Sequence, residues 1–173
     1  KQFIQWFCVV EKFAYYSFAL TMQSTMTIFI TAVSQPLFPY LASGKIQNRK
    51  QFSSIKRMLM MLGSASGLAY FACVFVVKHW IPNYIESLNV IRIYFAVFPA
   101  MSVINGLYLN LYKVKKMMHR YVYDLVIMLV AATVANYLAI KLNFGYCGVA
   151  FATTIINYLW FLYGQVFLKE FSL

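Results

Sequence analysis

Residues 58–77 read MLMMLGSASGLAYFACVFVV, a run of 20 residues without a charge. A helix that crosses the hydrocarbon core of a bilayer, about 30 Å thick, needs about 20 mostly apolar residues. The chain has other uncharged runs, which lie between Lys12 and Lys45, Arg92 and Lys113, Asp124 and Lys141, and Lys141 and Lys169. Because backbone polar groups inside a membrane must be satisfied within the span, these runs predict helices. We predict an all-α, polytopic transmembrane bundle of about five spans, at residues 14–37, 58–77, 91–111, 121–140 and 149–168.

The overall composition agrees with this interpretation. Hydrophobic residues make up 62% of the chain and charged residues 11%, whereas an ordinary soluble domain is roughly a quarter charged. A soluble domain could not cover so much apolar surface with so few charges. We therefore expect no soluble domain. Because the chain begins in an apolar stretch without a methionine, we interpret it as part of a longer protein.

The distribution of basic residues predicts how the spans are oriented. The net charge is +11, and basic residues are concentrated in two connections, at residues 43–57 and 113–120. The other connections hold only Lys78 with Glu86, and Lys141. This alternation is the positive-inside pattern. We therefore expect both basic connections and the C-terminus in the cytoplasm, and the lipid bilayer rather than nucleic acid as the partner of this charge.

Small and proline residues predict where the spans pack and bend. Gly63 and Gly67 form a small-xxx-small pair, which permits close approach of another helix. Proline removes a backbone donor and clashes with the preceding turn, so Pro36 and Pro39 predict a break at the end of the first span. Pro99, near the middle of the third span, predicts a kink. Kinked spans are where transporters often expose backbone polar groups to a substrate.

Polar side chains within the predicted spans are the candidates for a transport pathway. In the first span, hydroxyl groups recur at steps of three and four, at Thr21, Ser24, Thr27, Thr31 and Ser34. This spacing places them on one face of a helix. Two interpretations stay open: the hydroxyls bond back to carbonyl groups one turn earlier, or they line an aqueous cavity.

Charged and amide side chains in the later spans give the remaining candidates. Arg92 and Asp124 lie near span ends, whereas Asn105, Asn136 and Asn157 lie deeper. A charge within a membrane often marks a pathway. The alternatives are that Arg92 extends to the interface, that Asp124 pairs with Arg120 one turn earlier, and that the asparagines join helices.

Little in the sequence suggests catalysis. The chain has four acidic residues and two histidines, and the topology places His79 and His119 on opposite sides of the membrane. Cys8, Cys73 and Cys147 show no metal-ligand or redox spacing. We therefore expect no enzyme activity, no cofactor and no metal site.

Four stretches carry a resemblance to a known family. They are YYSFA at residues 15–19, AVSQPLFP at residues 32–39, IPNY with VIRI at residues 81–84 and 90–93, and GVAFAT at residues 148–153. In order and spacing they resemble the C-terminal lobe of the O-antigen and polysaccharide repeat-unit flippases. These belong to the multidrug, oligosaccharidyl-lipid and polysaccharide exporter superfamily. One departure is Lys12-Phe13-Ala14, where that family commonly has a glycine just before the tyrosines.

The resemblance implies a function and a setting. It implies two pseudosymmetric lobes around a central cavity, of which this chain would supply part of the second. The implied substrate is an undecaprenyl-diphosphate-linked oligosaccharide, carried across the bacterial inner membrane for O-antigen, lipopolysaccharide or other polysaccharide biosynthesis. The implied mechanism is alternating access, with proton or sodium coupling left open. Other membrane proteins of polysaccharide assembly would be partners.

Three alternatives are weighed against the flippase. A multidrug exporter of the same superfamily should carry a deep acidic residue, and Asp124 is the one candidate here. A membrane-embedded polysaccharide polymerase or acyltransferase should carry catalytic Arg or His residues in large loops, whereas these connections are short. A purely structural bundle is separated from the flippase only by the resemblance.

Overall fold

The computed structural model describes residues 10–43 and 49–171, and all the elements within them are helical. The α-helices are α1 (Val10–Ser34), α2 (Leu37–Ala42), α3 (Arg49–Trp80), α4 (Ser87–Phe95), α5 (Phe98–Val103), α6 (Leu109–Val114), α7 (Met118–Lys141) and α8 (Gly145–Phe171). A 3₁₀ turn at Pro82–Tyr84 precedes α4, and a π-helical segment at Ile104–Tyr108 joins α5 to α6. The all-α prediction is confirmed. Predictions that concern Cys8 and Lys45 lie outside the described residues.

Helices α4, α5 and α6, with the π segment, form one broken helix at the centre of the bundle. Helices α1, α3 and α8 all pack against it, and α7 packs on α8 and α6. Most of the large side chains that are fully buried lie in this central helix, among them Ile91, Tyr94, Phe98 and Leu107. The outer helices, in contrast, expose many large apolar side chains. This arrangement is typical of helices that face lipid on one side and a protein core on the other.

Within residues 10–43 and 49–171, three helices are long and apolar enough to cross a membrane: Lys50–Trp80, Met118–Lys141 and Gly145–Val166. The central helix makes a fourth if its two arms, Ser87–Phe95 and Phe98–Val114, count as one span. Helix α1 is 25 residues long, but its many hydroxyl groups and Gln23 lower its hydropathy, and it is not among these candidates. The first of the five predicted spans therefore stays a prediction.

The start of α3 differs from the sequence-based expectation. The second span was expected to begin at Met58 after a basic connection, but the helix already begins at Arg49. Phe52 and Ile55, three residues apart, pack against a buried cluster. Apolar contacts at this spacing stabilise a helix although the residues around them are charged.

The predicted close helix crossing lies at Gly63. A Cβ atom added there would meet the backbone carbonyl oxygen of Phe98, and it would lie 2.7 Å from Cα of Pro99. Only glycine therefore permits α3 to approach α5 so closely. At Gly67 an added Cβ would lie 3.8 Å from the carbonyl oxygen of Phe95, an ordinary contact.

The predicted proline breaks are present. Helix α1 ends at Ser34, and Pro36 occupies the N-cap position of α2. Pro39 lies in the first turn of α2, where a backbone N–H has no partner within the helix. The two arms of the central helix meet at 43°, with the break at residues 96–97.

Candidate functional site at the broken central helix

The break in the central helix frees the carbonyl oxygen of Ala96. The backbone N–H of Ala100, its expected partner in an α-helix, donates instead to Val97 over 3.1 Å. Pro99 has no N–H to donate to Phe95. The hydroxyl of Tyr158 in α8 donates a 2.7 Å hydrogen bond to the carbonyl oxygen of Ala96. A side chain from another helix thus satisfies a backbone group that the bend exposes.

Arg92 lies one turn before this break and is exposed, on the same side of α4 as Asn89 and Ala96. Two residues after it, Tyr94 is buried and hydrogen-bonds Tyr16 of α1. Two residues correspond to about 200° around a helix, so Arg92 points away from α1. Within the described residues no ion pair joins Arg92 to Glu86. Arg92 is thus exposed and accessible, and the alternative that it extends to the interface stays open.

Asn105 lies in the π-helical segment and is half-buried. Here the chain approaches both α1 and α3, since a Cβ added at Gly106 would lie 3.0 Å from atoms of Ser34 and Leu59. The side-chain amide of Asn110 donates to the carbonyl oxygen of Gly106 over 2.8 Å. A π segment inside a helix frequently occurs at functional sites, and this one makes the central helix irregular in a second place.

Asn136 and Asn157 are brought together by Thr153. The hydroxyl of Thr153 lies 3.3 Å from Oδ1 of Asn136 in α7, and it also donates to the carbonyl oxygen of Val149 over 2.9 Å. The side-chain amide of Asn157 donates to the backbone carbonyl of Thr153 over 2.8 Å. The bond between Thr153 and Asn136 joins α7 to α8, as the helix-joining interpretation expects, whereas the bond of Asn157 lies within α8.

Asp124 is buried, with 5% of its surface exposed, and two tyrosine hydroxyls donate to it. Tyr112 in α6 lies 2.5 Å from Oδ2, and Tyr163 in α8 lies 3.2 Å from Oδ1. Through these tyrosines Asp124 connects three helices at one end of the bundle. The i,i+4 ion pair with Arg120 stays a prediction.

The hydroxyl groups of α1 bond back within their own helix. Ser24 donates to Leu20 over 2.8 Å, Thr27 to Gln23 over 2.9 Å and Thr31 to Thr27 over 2.8 Å. Ser24 and Thr31 are exposed, whereas Thr27 is half-buried.

Several tyrosines contribute contacts that the sequence did not single out. Tyr94 and Tyr16 share a buried hydrogen bond of 2.7 Å, and Tyr108 donates to the carbonyl oxygen of Phe161 over 3.1 Å. A phenol buried at mid-depth in an apolar helix needs a polar partner. That requirement is the signal that could have pointed to these residues, although it does not identify their partners.

In the part of the chain that the structure describes, no group of three or more His, Cys, Asp or Glu side chains could hold a metal ion. His79 lies in the last turn of α3 and His119 in the first turn of α7, so the two histidines are at opposite ends of the bundle. No protein-family model matches the sequence, and no curated protein or solved structure matches it either.

Proposed function

We propose that this chain is part of a membrane transporter that flips an undecaprenyl-diphosphate-linked oligosaccharide across the bacterial inner membrane. The observation that carries the proposal is the central helix, which is bent by 43° and exposes Arg92 one turn before the bend. The resemblance to repeat-unit flippases supplies the substrate, the alternating-access mechanism and the partners in polysaccharide assembly. Proton or sodium coupling is left open.

The physical requirement of such a reaction is a polar path. A sugar headgroup with a diphosphate must cross about 30 Å of hydrocarbon, while the lipid tail can stay in the bilayer. An arginine can hold phosphate oxygens with two parallel hydrogen bonds, which a lysine cannot match. Alternating access needs an element that can adopt two conformations, and a broken helix is such an element. Flipping without bond cleavage requires no catalytic groups, so we propose a transporter rather than an enzyme.

The contacts of the candidate residues narrow the path that we propose. Asp124 and Asn136 are engaged in bonds between helices, and Asn157 donates to a carbonyl of its own helix, so we assign all three to packing. The hydroxyl groups of α1 are bonded to their own helix, and Arg92 points away from α1. The proposed path therefore follows the exposed side of α4, with Asn89, Arg92 and Tyr158 along it.

The test compares Arg92→Ala and Arg92→Lys in cells that depend on the complete transporter. Surface polysaccharide is measured at matched protein levels, and Lys78→Ala is the control for loss of a cation at the same end of the bundle. We expect Arg92→Ala to reduce export at least tenfold, Arg92→Lys to restore it only in part, and Lys78→Ala to leave it unchanged. Normal export by Arg92→Ala would contradict the headgroup contact.

A multidrug exporter of the same superfamily is the alternative. It would bind an amphiphilic cation through an accessible carboxylate. Asp124 is the one acidic residue within the predicted spans, and two tyrosines already donate to its oxygens. This contact favours the flippase. Drug resistance that depends on Asp124, without any change in surface polysaccharide, would favour the exporter.

A further inference from the structure

The bundle gathers its basic residues at one end. Seven lysine and arginine residues with described side chains lie there, at Lys50, Lys56, Arg57, Lys113, Lys115, Lys116 and Arg120. They come from two segments that are about 60 residues apart in sequence. The positive-inside pattern explains why each segment is basic, but it does not require the two segments to meet.

Packing brings the two segments together. Phe52 and Ile55, in the first turns of α3, pack against the same buried cluster as Val114 and Met117 of the other segment. Tyr112 is a buried member of that cluster. The two groups of cations therefore lie at the same end of the bundle, here called the basic end.

One cation of the basic end is held between helices. The ammonium group of Lys56 in α3 lies 5.4 Å from the centre of the Phe161 ring in α8, a distance at which a cation is attracted by an aromatic face. The only acidic side chain described at this end, Asp124, is buried. The surface that a ligand would meet there is thus strongly positive among the described residues.

Exposed apolar side chains lie next to these cations on the same helices. Met58 and Met61 come within a turn or so of Arg57, and Val122 and Tyr123 come within a turn of Arg120. A phospholipid has this pairing of an anionic headgroup with apolar chains. A free phosphate or an acidic soluble peptide would bind the cations but would not contact the apolar surface.

We propose that the basic end binds an anionic phospholipid, with its headgroup phosphate against Lys113 and Lys116 and its acyl chains along the exposed apolar surface next to them. Basic pockets between membrane helices hold anionic headgroups in this way. The proposal requires only that the chain lies in a membrane, and it is independent of the transported substrate.

The test measures how much phosphatidylglycerol, spin-labelled on an acyl chain, is immobilised by the reconstituted full chain, relative to equally labelled phosphatidylcholine. We expect the native protein to prefer phosphatidylglycerol, and high salt to weaken the preference because it screens exposed charges. The double variant Lys113→Gln with Lys116→Gln should lose about fivefold or more of the preference, since each basic residue near a headgroup contributes about that factor.

The matched control removes two cations from the opposite end of the bundle, with Lys78→Gln and Lys141→Gln. We expect its preference to equal that of the native protein. An equal loss in both double variants would show a bulk charge effect, and no loss in the first would show that the basic end binds no lipid; either result overturns the proposal. Displacement of the lipid by inorganic phosphate at constant ionic strength would overturn it too, in favour of a phosphate site. Displacement by a polyglutamate peptide but not by phosphate would indicate a protein partner instead.

Discussion

The hydroxyl of Tyr158 bonds the carbonyl oxygen of Ala96 over 2.7 Å, where the central helix breaks. That carbonyl has two alternative donors. In the bent form Tyr158 donates to it, and in a less bent form the N–H of Ala100 could donate instead, as in an α-helix. The bond between α8 and the break therefore favours the bent form of the central helix. Pro99 preserves part of the kink in either form, because its ring clashes with the preceding turn.

Tyr158→Phe should relax the bend because it removes one of the two donors. We expect the distance between spin labels at Asn89 and Lys113 to broaden and to lengthen by up to about 2 Å, given a rise of 1.5 Å per residue. The measurement is double electron–electron resonance on the reconstituted protein. Tyr137→Phe, which alters an exposed tyrosine of α7, is the control. An unchanged distribution in Tyr158→Phe would show that the tyrosine does not set the bend.

Asp124 should contribute to stability through the tyrosines that it joins. In Asp124→Ala the buried hydroxyl of Tyr112 loses its acceptor, at a cost of about 2–3 kcal/mol in the free energy of unfolding. Asp124→Asn keeps an acceptor oxygen for Tyr112, so its free energy of unfolding should fall by about half as much. The measurement is the midpoint temperature of thermal unfolding in detergent. We expect it to be highest for the native protein and lowest for Asp124→Ala.

The control for Asp124 lies on the same helix. Thr133 is exposed, and its hydroxyl bonds only to the carbonyl of Leu129 in its own helix, over 2.8 Å. We expect Thr133→Ala to unfold within a degree or two of the native protein. If Asp124→Ala were as stable as Thr133→Ala, the carboxylate would not hold the helices together.

The orientation of the bundle can be tested with single cysteines in a protein that lacks Cys8, Cys73 and Cys147. Lys115 lies at the basic end, and Asn83 lies in the turn at the opposite end; both are exposed. Because basic connections face the cytoplasm, Lys115→Cys should react with a membrane-impermeant maleimide only in inside-out vesicles. Asn83→Cys should react in intact spheroplasts. The reverse pattern would invert the topology.

Much of the helical framework follows from where the charges lie. The helices α3, α7 and α8 contain the predicted spans 58–77, 121–140 and 149–168, because long uncharged runs form helices in the absence of water. The kink at Pro99 is also predictable, since its cause is local. The π segment at Ile104–Tyr108 is not, because it accompanies the close contact of Gly106 with Leu59 and Ser34, which comes from other helices.

The candidate site is less predictable than the helices for the same reason. A sequence shows that Asp124, Asn136 and Asn157 are polar residues in apolar surroundings, but not which residues face them. Their partners are set by how α6, α7 and α8 pack. The partner of Asp124 in α8, Tyr163, is 39 residues away. For the hydroxyls of α1 a local rule is sufficient, and the bond to the carbonyl one turn earlier is the interpretation that the structure shows.

Gly63 and Gly67 belong to one small-xxx-small pair but should respond differently to the same methyl group. At Gly63 an added Cβ would lie 2.6 Å from Oγ of Ser102 and would meet the backbone of Phe98; backbone cannot rotate away as a side chain can, so α3 and α5 must separate. Gly63→Ala should therefore lower the free energy of unfolding by about 1–3 kcal/mol, the usual cost of overpacking. The added Cβ of Gly67→Ala would make only an ordinary contact. The free energy of unfolding of this variant should be unchanged or slightly higher, because alanine suits a helix better than glycine. Thermal unfolding and the yield of monodisperse protein measure both variants. Equal stability of the two would mean that α3 crosses α5 at a greater distance than the structure shows, whereas a loss confined to Gly67→Ala would place the crossing one turn further along α3.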